Sequence, residues 1–157
     1  MKYLLLIPFL ALLAGPCVSF TGEDTGELAV VVNKSNPLDT ISSADLRAMM
    51  LGDKTKWPDG KKVTAVETAG ESRERALMLK VVCKMTEPVL KRYYMQAVFT
   101  GKDVVQPQEV SSAAALKQLV GRTPGGIGCI FGSQADDTVK ILKVDGVAPG
   151  EPGYKLH

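Results

Sequence analysis

Hydrophobic positions along the chain fall into short continuous runs separated by stripes at helical spacing. Leu28-Ala29-Val30-Val31-Val32, up to Asn33, is an unbroken apolar stretch, the pattern of a strand buried on both faces. It gives way to Lys34-Ser35-Asn36-Pro37, a turn cluster. Ser42 opens a helix, since Ser42-x-x-Asp45 has capping-box spacing and Asp45 suits the positive helix end. Leu46, Met49 and Met50 continue it, and Gly52 stops it. Trp57-Pro58-Asp59-Gly60 predicts a tight turn, and Lys62 to Glu67 alternates as a strand does. A second helix is expected over 72–84, with Leu77, Leu79, Val81 and Val82 among its apolar positions. Thr86-Glu87-Pro88 opens a third, running to Val98 and closing near Gly101. Ser111 or Ser112 caps a fourth through Val120, ended by Gly121 and Pro124. Ile127 to Phe131 and Val139 to Val144 read as strands. Strands alternating with helices predict a mixed α/β domain over 28–157, with several parallel strands.

The first residues follow another pattern. Lys2 precedes an apolar run from Tyr3 to Ala14, and small residues follow, the layout of a secretory signal over 1–19. Cleavage after Ser19 places Cys17 and Ser19 at the −3 and −1 positions. A membrane anchor is the alternative, but Pro8, Gly15 and Pro16 leave the run short of the roughly 20 residues of a spanning helix. Cys17 also suggests a lipoprotein, yet Pro16 stands where a small residue would precede a lipidated Cys. The chain is therefore read as periplasmic or secreted and not membrane-spanning. Residues 20–27 form a polar leader, expected to be flexible. Past the signal, two cysteines remain, and export permits a Cys83–Cys129 disulfide. The alternative is two buried thiols behaving as small hydrophobes.

Composition narrows the function classes. With 157 residues, 45% hydrophobic and 23% charged, the chain suits one globular domain. Nineteen Lys and Arg face 17 Asp and Glu, a net charge of +2, so there is no electrostatic case for nucleic acid. The only histidine is the last residue, His157, so no imidazole is positioned to activate a serine or cysteine inside a core. No zinc spacing and no 12-residue calcium loop occurs. The expectation is a binding protein that is not an enzyme and needs no cofactor or metal.

Three segments could bind. Thr68-Ala69-Gly70-Glu71-Ser72-Arg73 leaves a strand and enters a helix, where free backbone N–H groups, the Ser72 hydroxyl and Arg73 could hold an oxyanion. The plainer reading makes Ser72 an N-cap only. Ser35 and Asn36 end the first strand and could face the same crevice, or form a simple turn. Gly125-Gly126-Ile127-Gly128 lacks side chains and permits close approach to a ligand or a packed helix. The candidate ligand-binding set is thus Ser35, Asn36, Gly70, Ser72, Arg73 and Gly126.

An ordered series of segments resembles the phosphate ABC transporter substrate-binding proteins, and more narrowly the short single-domain members of the type 2 periplasmic-binding-protein superfamily. The series comprises Val32 to Pro37, Ile41 to Arg47, Leu51 to Gly60, Val98-Phe99-Thr100-Gly101 and Pro124 to Gly128. It covers 28–145, nearly all of the chain after the signal. The resemblance implies a periplasmic-binding-protein-like α/β domain, a mixed sheet flanked by helices, truncated relative to two-lobed members. It also implies a phosphate-like anion as ligand and an ABC transporter permease as partner. The family's phosphate loop carries an Arg, an Asp and a Ser-Gly-Thr; here Glu67 and Ala69 fall near the first two. Gly70 and Ser72 are kept in kind, and Arg73 could replace the missing cation. Cys129 stands where an aromatic residue is common. A ligand-free module docking an envelope protein is the other expectation.

Overall fold

The computed structural model describes residues 26–157. The expected signal, 1–19, and the leader through residue 25 lie outside them. Glu27, the last leader residue, is tied in: its carbonyl accepts from Gly132 N at 3.0 Å and its carboxylate from Gly150 N at 2.7 Å.

Six strands form one sheet in the order β2-β6-β1-β5-β3-β4. They are β1 (Leu28–Val32), β2 (Thr40–Ile41), β3 (Thr64–Thr68), β4 (Gln108–Val110), β5 (Gly126–Phe131) and β6 (Lys140–Val144). Every residue of β1 and of β5 is buried, as a continuous apolar run requires when both sheet faces are covered. The pairing is mixed. β3 runs parallel to β4 and β5, and β2 parallel to β6, while β1 is antiparallel to both β5 and β6. Burial of β1 therefore follows from its central place and not from its direction.

Four helices cover the sheet: α1 (Ser43–Met50), α2 (Arg73–Met78), α3 (Glu87–Thr100) and α4 (Ala113–Arg122). Ser42 caps α1 by accepting from Asp45 N at 3.0 Å, while the Asp45 carboxylate turns to Lys54 at 2.6 Å. Ser112 caps α4, accepting from Ala115 N at 3.2 Å. The helix expected over 72–84 changes character part-way. Beyond α2 it continues as a π turn, Leu79–Cys83, and stops at Lys84 in the left-handed region. One face of the sheet packs on α1, α2 and the π turn through Leu46, Met49, Met78, Leu79 and Val82. On the other, Val31, Val66 and Ile130 meet Leu116 and Val120 of α4.

The glycines of β5 serve this packing. A Cβ on Gly126 would lie 2.9 Å from Val120 Cα, and one on Gly128 2.8 Å from Leu116 Cδ2. The close approach at Gly126 is to a packed helix, one of the two readings open for that glycine run. The possible bridge between Cys83 and Cys129 is corrected, since both are free, buried thiols. Cys83 donates towards Met78 Sδ at 3.5 Å. Burial pushes each thiol up to about 12.

Candidate functional site

The main cavity is an open groove of about 1630 Å³ beside the carboxyl end of β3. Gly70, Ser72 and Arg75 border it at one end, and Leu79, Val81, Val82 and Met85 continue it past the π turn to the start of α3. Arg47, whose Nε donates to Cys83 O at 2.9 Å, and Lys155 also line it. Open α/β sheets take ligands at such strand ends, so the topology favours this side.

Its polar end is built by the β3–α2 connection. Gly70 adopts φ +71, and a Cβ there would meet nothing within 4 Å, so the backbone faces open space. Ser72 caps α2, accepting from Arg75 N at 3.1 Å, and shares a hydrogen bond of 2.6 Å with Thr68 Oγ1. Arg73 holds its guanidinium carbon 5.3 Å from the Phe131 ring centroid.

Arg75, which sequence reasoning passed over, dominates the electrostatics. It is only 8% exposed and reaches three carboxylates from three elements. Its Nε and Nη2 donate to the two oxygens of Glu87 at 3.2 and 3.0 Å, a bidentate pair with the first residue of α3. Its Nη1 lies 2.5 Å from Glu67 on β3 and 3.6 Å from Glu109 on β4. The first of these is an ion pair of poor angle and the second lies beyond hydrogen-bond reach, so Nη1 makes no hydrogen bond. Burial raises the Glu67 carboxyl above its usual range even though Arg75 pulls it down. Burial lowers the Arg75 pKa, but Glu87 and Glu67 more than offset it. Arg75 holds Glu87 below the usual carboxylate range. The spacing Ser72-x-x-Arg75 was the available signal: the residue whose N–H a cap receives stands one turn into the helix.

The sequence-derived binding residues do not converge. β1 pairs Val32 with Ile127 and Leu28 with Phe131, while β3 pairs Thr64 with Gly126. The carboxyl end of β1 therefore lies beside the start of β3, about 13 Å along the strands from Thr68 at roughly 3.3 Å per residue. Ser35 and Asn36 sit at that far end, outside the groove, so the shared crevice expected for them is corrected. Ser35 donates its N–H and hydroxyl to Asn33 Oδ1 at 2.9 and 2.8 Å. Asn36 Oδ1 accepts from Leu38 N at 2.9 Å. Both serve a turn anchored by Asn33, whose amide donates to Val120 O and Gly121 O at 3.0 and 2.8 Å. Among the described residues no group of three or more His, Cys, Asp or Glu could hold a metal ion.

The architecture of this site can be set beside known structures. No family model matches the chain. An ABC-type phosphate transport receptor from Vibrio cholerae superposes with a TM-score of 0.63 at 21% identity, over 78% of this chain and 48% of its own. The chain has a periplasmic-binding-protein-like fold. PstS from Borrelia burgdorferi superposes at 0.66 with 14% identity, over 83% of this chain and 53% of its own. A phosphate binding protein from Stenotrophomonas maltophilia gives 0.56 and 15%, over 78% and 40%. The chain thus spans about half the length of these solved structures. The first is named as a phosphate transport receptor and the third as a phosphate binding protein. Among the described residues no helix is long and apolar enough to cross a membrane.

Proposed function

We propose that this chain is a solute-binding-type receptor domain working outside the cytoplasm, in the periplasm, and that it recognises its ligand in the groove at the carboxyl end of β3. The observation that carries the reading is the position of that groove: it opens at the strand end where α/β folds take ligands, in a fold shared with phosphate receptors. The finer form of the reading is a phosphate-like oxyanion held at Gly70, Ser72 and Arg73, for delivery to an ABC transporter permease or for sensing. The open backbone at Gly70 and the Ser72 hydroxyl border the groove, and Arg73, next in the chain, lies over the Phe131 ring. Calorimetry of the protein with phosphate, sulfate and related oxyanions tests it. Saturable binding that Arg73→Ala weakens by tenfold or more, about 1.4 kcal/mol, is expected. No binding by any of these anions would sink the anion form.

A second reading has its own observation. Arg75, the buried cation at the groove, is already surrounded by Glu67, Glu87 and Glu109, and the groove is far larger than a tetrahedral anion. Both features suit a ligand-free module that docks an envelope protein. Pull-down from envelope fractions with wild type and with Val81→Glu/Met85→Glu separates the readings. Recovery of one partner that the variant loses favours docking; no partner alongside tight anion binding counts against it.

A further inference from the structure

The outward face of α3 is built unlike that of a solvated helix. Leu90 and Ala97 turn to the core, and Tyr93 and Tyr94 are half-buried. At 100° per residue, Lys91, Arg92, Met95, Val98 and Phe99 share the opposite face within roughly a 120° arc. Met95, Val98 and Phe99 are 58%, 76% and 88% exposed, the three most exposed large hydrophobic residues of the described chain. They stand together at the last turns of the helix, before the left-handed Gly101. A cluster of apolar side chains at a helix end, covered by nothing among the described residues, marks a contact surface.

Charge argues for what covers it. No acid occurs from Leu90 to Lys102. Glu87, at the helix start, is engaged by Arg75, and Asp53, beside the helix end, by Lys102 at 2.6 Å. Tyr93 packs under the same Lys102, which donates to its hydroxyl at 3.0 Å. Asp103 follows just past the face. The face therefore presents cations, Lys91 and Arg92, behind an apolar tip, Val98 and Phe99. Seven residues separate Arg92 from Phe99, about 10 Å along the axis at 1.5 Å per residue. An anionic bilayer offers that same sequence of layers: phosphates outside, and the acyl boundary some 5–10 Å beneath.

We propose that this face of α3 docks the domain peripherally on an anionic lipid surface, with Val98 and Phe99 entering the headgroup boundary and Lys91 and Arg92 meeting lipid phosphates. The contact lies on α3 away from Gly70, Ser72 and Arg73, so it does not depend on the anion reading.

Vesicle flotation tests it, using the chain from Phe20 onward, with phosphatidylglycerol-containing vesicles and neutral phosphatidylcholine vesicles as probes. Binding to the anionic vesicles alone, weakening with salt, is expected. Val98→Ser/Phe99→Ser and Lys91→Glu/Arg92→Glu should each lower the bound fraction by about tenfold or more, with circular dichroism unchanged. Absence of flotation, or flotation that neither variant reduces, overturns the proposal. So does light scattering that finds a dimer dispersed by Val98→Ser/Phe99→Ser without vesicle binding, since the face would then join two copies.

Discussion

At the scale of single residues, Arg75 joins three secondary-structure elements through charge. Glu67 on β3, Glu87 on α3 and Glu109 on β4 all turn to it, and two of these four groups are more than nine-tenths buried. Removing one partner of a buried pair strands the other charge without water. Arg75→Ala is therefore expected to lower unfolding stability by about 3–5 kcal/mol in urea titration. A loss within about 0.5 kcal/mol, as at an indifferent surface site, would contradict this account. The pH dependence is also specified. Glu67 has a folded pKa above its usual 4.5, so folding takes up a proton there and the group costs stability as pH rises from 4.5 through the raised value. Glu87, lowered by Arg75, contributes stability above 4.5 and loses it as pH falls through the lowered value. The advantage of wild type over Glu67→Gln should thus shrink as pH rises from 4.5 towards neutrality; a growing advantage would refute the assignment.

At the scale of elements, glycine spacing in β5 governs how closely α4 lies on the sheet. Gly128 has Leu116 on one side and Val66 O at 2.9 Å from where its Cβ would be. Gly128→Ala should cost about 1–3 kcal/mol by overpacking, read as a lowered urea midpoint with unchanged slope. The long apolar strands, the Ser42 and Ser72 caps, the fourth helix's cap to within Ser111 or Ser112, and the Gly101 stop were legible, because each follows from residues within one turn or one strand. β2 and β4 were not. They are two and three residues long, partly exposed, and carry no apolar run, so pairing with β6 and β3 alone makes them strands. The π turn was equally hidden, since Leu79 to Cys83 keeps an apolar pattern that an α-helix would share.

At the scale of the whole molecule, burial decides the cysteine chemistry. Cys83 ends the π turn and Cys129 lies within central β5, and both thiols are pushed to about 12. A thiol reagent needs thiolate and access, so labelling should be slow in native protein and rapid in denaturant, following global opening. Rapid native labelling of either cysteine would show that the core opens locally. The C-terminal segment closes the same core. Leu28 N donates to Leu156 O at 2.8 Å and Tyr154 Oη to Leu28 O at 2.6 Å, joining the last residues to the first strand.

The sequence by itself determined the α/β class, the doubly buried first strand, the four helix starts and the absence of an internal histidine, all local or compositional properties. Tertiary structure alone decided which ends of the strands meet. β1 runs against β5 and β5 with β3, so Ser35 and Asn36 end up across the sheet from Gly70, Ser72 and Arg73. It alone gathered Glu67, Glu87 and Glu109 about Arg75, and turned an apolar patch of α3 outward. Strand direction and long-range charge contacts depend on pairings between residues far apart in the chain, which no local pattern encodes.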